Sequence, residues 1–362
     1  MAEIRTAHPY HAYEAIFAQP ALIDQVLAQR EAIDRAAQAV AQKERVTFVG
    51  IGTSLNAARV AEGWLRHFSQ GRIWAHAEQS FELVHHPIAF GANDAVIVIT
   101  HTGTTTASVE ALRMAGAAGA LTVAITGKMS GDGVRGADFH IETCEQEIPF
   151  AYTKSYTTAL AVLALMAIRI AEKKTRAIET ARLAELSRVP EMVRGALKLE
   201  TQTREWAAGI AALSRIEIFG SGAAWATASE AALKIKEACY IAAEGFETEE
   251  ILHGPFSETD SRGSLIGLFV GDAADDRGRQ ILRAAGDLKM PRAAITVPTA
   301  NRDLAAEQIF VVPECAAWLS AFVHLIPLQL LMYHLALVRR TSPDSGRMEQ
   351  TEHAAASKHY KY

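Results

Sequence analysis

A strand that runs into two glycines and then a helix occurs twice in this chain at a fixed spacing. V-T-F-V-G-I-G-T-S-L-N-A-A-R-V-A-E-G-W, residues 46–64, lies over I-E-I-F-G-S-G-A-A-W-A-T-A-S-E-A-A-L-K, residues 216–234. At this spacing of 170 residues Gly50 meets Gly220 and Gly52 meets Gly222. Repetition of a whole strand–turn–helix unit points to two copies of one module. The 362 residues are long for one domain and comfortable for two.

The stretches between the two copies fill in the architecture. Short apolar runs suggest strands at 46–50, 73–77, 95–100, 121–126 and 139–143 in the first half, and at 216–220, 265–270, 293–297 and 309–312 in the second. Segments with helical periodicity separate many of them, including 80–84, 105–115 and a long apolar one over 155–172. Buried strands of four to six residues alternating with helices predict an α/β fold of two tandem doubly wound modules. Each would be a parallel sheet flanked by helices. The expected organisation is an N-terminal helical extension (1–45), a first module (46–172), a helical connector (173–205), a second module (206–340) and a C-terminal tail (341–362). Pro20 is expected to open a new helical turn in the extension.

In such sheets ligands sit at the carboxyl ends of the strands. Two hydroxyl-rich loops of the first module fall there, Gly52-Thr53-Ser54 and Thr100-His101-Thr102-Gly103-Thr104-Thr105. Hydroxyls together with the unpaired N–H groups of a helix start suit a phosphate. The loops could equally be ordinary threonine caps, since threonine is common there. The second glycine loop has only Ser221, so the first copy is the better ligand site.

A net charge of −5 argues against nucleic acid and anionic membranes as partners but leaves a phosphorylated small molecule open. Cys144, Cys239 and Cys315 form neither a disulfide framework nor a zinc pattern. With no apolar signal core at the N-terminus, a cytoplasmic location is expected. Residues 319–338 are apolar enough to suggest a membrane span, but His324, Pro327, Gln329 and His334 favour a buried helix bent or broken at Pro327. The pairs His85-His86 and His8/His11 lack carboxylates at ligand spacing, so no metal and no cofactor are expected.

Four blocks occur in an order that resembles a known family: G-I-G-T-S-L-N-A, T-H-T-G-T-T-T-A-S, E-I-P-F-A-Y-T-K-S-Y-T-T, and A-L-K-I-K-E-A-C-Y-I-A-A-E-G-F-E-T-E-E-I-L-H-G-P. Together they resemble double SIS (sugar isomerase) domain proteins. These include the isomerase half of glucosamine-fructose-6-phosphate aminotransferase and stand-alone phosphosugar isomerases, deaminases and deglycases. The resemblance implies that Gly52, Thr53, Ser54, Thr100, His101, Thr102, Gly103, Thr105, Phe150 and Ser357 bind the phosphate and sugar. It implies that Glu237 is the base moving a proton between C1 and C2, and that Lys234 faces the first carbons. His253, sixteen residues after Glu237, would open the sugar ring from the neighbouring subunit of a homodimer. A tail lysine, Lys358 or alternatively Lys361, would form a Schiff base with the open sugar.

The chain departs from the family's Ser-Gln-Ser-Gly at Thr100-His101-Thr102-Gly103, and from its following acidic residue at Thr104. Neither a glutaminase module nor an N-terminal cysteine nucleophile is read in the sequence, so glutamine-dependent ammonia transfer is not expected of it. The alternative to an enzyme is a non-catalytic phosphosugar sensor or regulator. On residues alone, the charges of K-I-K-E could be merely solvated, and His253 merely a loop histidine.

Overall fold

The computed structural model describes residues 5–360. The chain opens with α1 (His11–Ala28) and α2 (Arg30–Val40). The helix α1 passes through Pro20 without a break, so no new element opens there. Next come β1 (Arg45–Gly50), α3 (Thr53–Phe68), β2 (Trp74–Gln79), α4 (Ser80–His85), β3 (Asp94–Ile99) and α5 (Thr106–Ala117). The first half closes with β4 (Leu121–Thr126), β5 (Phe139–Glu142) and α6 (Lys154–Thr175). All five strands are parallel, in the order β2-β1-β3-β4-β5. A core of Val49, Val96, Val98, Leu112, Ala115 and Ala124 joins β1, β3 and β4 to α5. The helix α6 is buried along most of its length and packs against α2 and α3.

Three helices follow, α7 (Thr180–Ser187), α8 (Val189–Leu197) and α9 (Glu200–Ile210). The second half comprises β6 (Arg215–Gly220), α10 (Ala223–Cys239), β7 (Ala242–Glu247), β8 (Gly263–Phe269), α11 (Asp275–Asp287), β9 (Arg292–Thr296) and β10 (Gln308–Val311). It ends in α12 (Ser320–Val323), α13 (Leu325–Val338) and the short α14 (Thr351–Ala356). Its parallel sheet runs β7-β6-β8-β9-β10, the same order as the first. In both, the order reverses direction between the first and third strands of the module, which opens a crevice at the carboxyl ends of β1/β3 and of β6/β8.

Contacts divide the chain into two compact units. One holds Gln19–Glu147 and Lys154–Arg188; the other holds the chain up to Ala18, Ile148–Thr153 and the chain from Val189 onward.

Three elements were not foreseen: β7, α11 and the short α14 within the tail. The strand β7, A-A-E-G-F-E, carries glycine and two glutamates, a poor strand composition. Gly245 is there because a Cβ would collide with the Ala228–Ser229 backbone of α10, which lies directly on this strand. The helix α11 is polar and carries Gly278, whose missing side chain admits the Phe269 ring. The expected break at Pro327 falls instead at His324, between α12 and α13. Proline cannot donate to the carbonyl four residues earlier, here that of Val323, so the helix yields there while Pro327 sits in the first turn of α13. Two helical segments, Lys154–Thr175 and Ala317–Val338, are long and apolar enough to cross a membrane, and 89% of each apolar window is buried inside the fold.

Candidate active site

In the first module the β1–α3 turn is tight. A Cβ on Gly50 would lie 2.5 Å from the Ser54 carbonyl carbon, so glycine lets α3 rest against the strand end. Gly52, at φ 57°, then turns the chain into the helix. Thr53 and Ser54 are the first two residues of α3 and are half-buried. The β3–α5 loop ends at Thr105, which caps α5 without a side-chain hydrogen bond. Neither α3 nor α5 has an acidic residue in its first turn. Both positive helix ends therefore meet the crevice without a carboxylate from their own first turns. Thr102 Oγ1 accepts from the Thr104 hydroxyl (2.9 Å) and N–H (3.3 Å). Among the described residues the buried Thr100 Oγ1 has no hydrogen-bond partner.

His101 is anchored to the protein backbone. Its Nε2 accepts the Glu147 N–H at 2.9 Å, and its carbonyl accepts from Gly127 N–H and Gln146 Nε2. A Cβ on Gly127 would overlap the imidazole, so that glycine makes room for the ring. Burial pushes the His101 pKa down, against the pull of Glu147, and an accepting Nε2 requires the neutral ring. The Glu147 carboxylate in turn accepts the Ser155 N–H at the start of α6. Glu147 was missed as a positioning residue, although it opens the quoted E-I-P-F block.

In the second module the turn geometry recurs. Gly222 has φ 58° and ψ −126°, against 57° and −123° for Gly52. The helix α10 presents Glu230, Lys234 and Glu237 at spacings of four and three residues, hence along one face. Lys234 Nζ lies 2.6 Å from Glu237 Oε2 and 3.7 Å from Glu230 Oε1. The side chains of Glu230 and Lys234 are 1% and 2% exposed, and that of Glu237 is 18%. The Lys234 ammonium thus bridges two carboxylates, and only Glu237 reaches solvent. A merely solvated charge run does not fit this burial.

His253 lies in an exposed turn before Gly254, at φ 128°, and Pro255. Its Nε2 is 3.4 Å from Glu249 Oε1, which is its partner among the described residues. Phe150 is 38% exposed, its N–H donates to the Asp344 carbonyl, and Gly346 leaves space for its ring. The Asp344 carboxylate accepts the His11 and Ala12 N–H groups at the start of α1, both at 2.9 Å. The Tyr240 hydroxyl, just past α10, bonds Ser345 Oγ and Glu349. The first part of the tail is therefore tied down rather than frayed. Ser357 Oγ donates to the Ala354 carbonyl, and Lys358 is exposed in the short turn that follows α14. Lys361 lies outside the described residues. Among the described residues no group of three or more His, Cys, Asp or Glu is placed to hold a metal ion.

Set against protein-family models, residues 39–169 and 210–339 each match the SIS domain, the two copies inferred from the glycine turns. The chain belongs to the SIS domain family. Its SIS modules are 31% identical to glutamine–fructose-6-phosphate aminotransferase (isomerizing) of Thermococcus kodakarensis over 355 residues, 96% of this chain and 58% of that protein. The homologue from Pyrococcus horikoshii is 29% identical over 348 residues, 92% of this chain and 55% of that protein. The chain thus spans somewhat more than half the length of these relatives. Among solved structures, the C-terminal domain of glucosamine-fructose-6-phosphate aminotransferase from Francisella tularensis superposes with a TM-score of 0.87 at 23% identity, covering 94% of this chain and 99% of that one. The glucosamine-6-phosphate deaminase of Thermotoga maritima gives 0.74 at 20%, covering 93% and 97%. These two likenesses establish the fold, two parallel five-stranded SIS sheets.

Proposed function

We propose that this SIS protein is a phosphosugar isomerase-type enzyme. It acts on a ketose, aldose or amino sugar 6-phosphate by ring opening and proton transfer between C1 and C2. It works as an aldose–ketose isomerase or as an amino-sugar-phosphate deaminase or deglycase. The observation that carries the reading is the Lys234–Glu237 pair: a buried ammonium fixes one oxygen of a carboxylate that reaches solvent. A base so held can take a C–H proton and return it to the neighbouring carbon, while the ammonium stabilises the enediol oxygen that forms between the two steps. The sugar phosphate of the relatives' names fits this chemistry.

In this reading the hydroxyls of Thr53, Ser54, Thr100, Thr102 and Thr105 receive the phosphate, with Gly52 and Gly103 shaping the turns. Phe150 and Ser357 line the sugar, His101 sets the shape of its loop, and Lys358 meets the open-chain carbonyl. His253 opens the ring from the second subunit of a homodimer. Its exposure on the single chain supports that role. A cytoplasmic setting accompanies the reading, since all three cysteines are free thiols.

The test is deuterium exchange at C1 of fructose 6-phosphate and at C2 of glucosamine 6-phosphate, followed by NMR. Glu237→Gln is expected to lower exchange by about a thousandfold while leaving sugar-phosphate binding in place. Undiminished exchange in that variant overturns the assignment. Binding of both sugars by the unaltered chain, with neither exchange nor conversion, turns the reading to a phosphosugar sensor.

A further inference from the structure

His253 carries a chemical role in the proposed function, yet a loop histidine that is 68% exposed on a turn should be free to rotate. Here it has a partner, and the partner is itself fixed. Glu249 receives two bonds from the Arg277 guanidinium of α11, Nε to Oε2 and Nη2 to Oε1, both at 2.6 Å. Such a fork-to-fork pair holds the plane of the carboxylate as well as its position. The Glu249 N–H is also held, by Glu247 Oε2 at 2.7 Å. The other side of Glu249 Oε1 then faces His253 Nε2 at 3.4 Å. Gly254 and Pro255 fix the backbone just after the ring.

We propose that Glu249, clamped by Arg277, is the positioning residue for His253, and that it holds the imidazole as the Nε2–H tautomer with Nδ1 directed to the substrate. The inference rests on the proposed role of His253 and adds which nitrogen works and what aims it. A carboxylate accepts and never donates while ionised, so the nitrogen facing it must carry the proton. The Arg277 bonds keep Glu249 ionised, holding its carboxyl down to about 2, so the acceptor persists wherever an imidazole titrates. Two neighbouring carboxylates are engaged elsewhere, while Glu250, three residues before His253, is exposed. Glu247 of β7 holds the Ser221 hydroxyl and the backbone N–H groups of Glu249 and Glu250, and Glu258, just after Pro255, is paired with Arg215.

The experiment is nitrogen-15 NMR of the full chain labelled at histidine, with the His253 signal assigned through His253→Gln. The expected result is a neutral ring protonated at Nε2 in the unaltered chain and a mixture of both tautomers in Glu249→Gln. In Arg277→Gln the tautomer preference weakens. In parallel, Glu249→Gln is expected to reduce kcat on a cyclic 6-phosphosugar about tenfold and to change KM less than twofold. An Nδ1–H ring in the unaltered chain, or the same tautomer preference in all three proteins, overturns the proposal. The NMR result stands apart from turnover. An Nε2–H ring that loses its preference in Glu249→Gln, in a chain that converts no phosphosugar, supports Glu249 as the residue that orients His253 and overturns the proposed function alone.

Discussion

The two SIS sheets share strand order and turn geometry, yet their crevices are furnished in opposite ways. In the first, the loops after β1 and β3 offer threonine and serine hydroxyls, among them the unpartnered Thr100, and the helices begin without acidic residues. In the second, the corresponding loop donors are met by the chain's own carboxylates. Asp275 accepts the Val270 and Gly271 N–H groups, Asp272 accepts that of Ala274, and Ser221 donates to Glu247. An internal carboxylate placed where a phosphate would sit does the same electrostatic work and repels a second anion. The two modules thus share a backbone scaffold, and in the second the loop donors are satisfied by side chains of the chain itself.

This contrast can be broken by giving the first crevice the character of the second. Thr105→Asp supplies a good helix cap, so the fold should persist, while its charge should weaken binding of a 6-phosphosugar on the order of a hundredfold. The unphosphorylated sugar should bind unchanged. Calorimetry with both ligands decides it, and equal affinity for the phosphosugar in the variant would assign the phosphate elsewhere.

A second difference lies on the aligned first strands, where buried Thr47 of β1 corresponds to buried Glu217 of β6. Burial pushes the Glu217 carboxyl up to about 7, only partly offset by Arg215. A folded-state pKa raised above the unfolded one means that the stabilising term is fully present below about 4.5 and is lost as pH rises through about 7. Glu217→Gln is therefore expected to add about 2 kcal/mol at pH 8 and little at pH 4, measured by denaturant unfolding. An equal gain at both pH values would refute a buried ionisation.

The smallest effect concerns the shared turns. Gly52→Ala and Gly222→Ala each force a Cβ into positive φ, which should cost about 1 kcal/mol by thermal unfolding. Only Gly52→Ala should also weaken phosphosugar binding. Matched losses of affinity would mean that the two loops have not parted roles.

What could be read in the sequence was local or periodic. Strands of valine and isoleucine and the paired glycines depend on near neighbours, and both reappear in the structure. What escaped depends on distant residues. The strand β7 looks unlike a strand because Gly245 answers to α10. His101 is held by Glu147, 46 residues away, and Glu249 by Arg277, 28 residues away. No spacing rule predicts such pairs.

The interleaving of the two units in sequence has a consequence for how this protein can be taken apart. Six residues, Ile148–Thr153, leave the first unit to join the second and then give the chain back. Among them, Phe150 makes a backbone bond to Asp344 and its ring occupies the space that Gly346 provides. A cut through the helices between the SIS matches would strand that insert on the wrong fragment. A half-gene transplanted as an independent building block would lack a piece of its own wall.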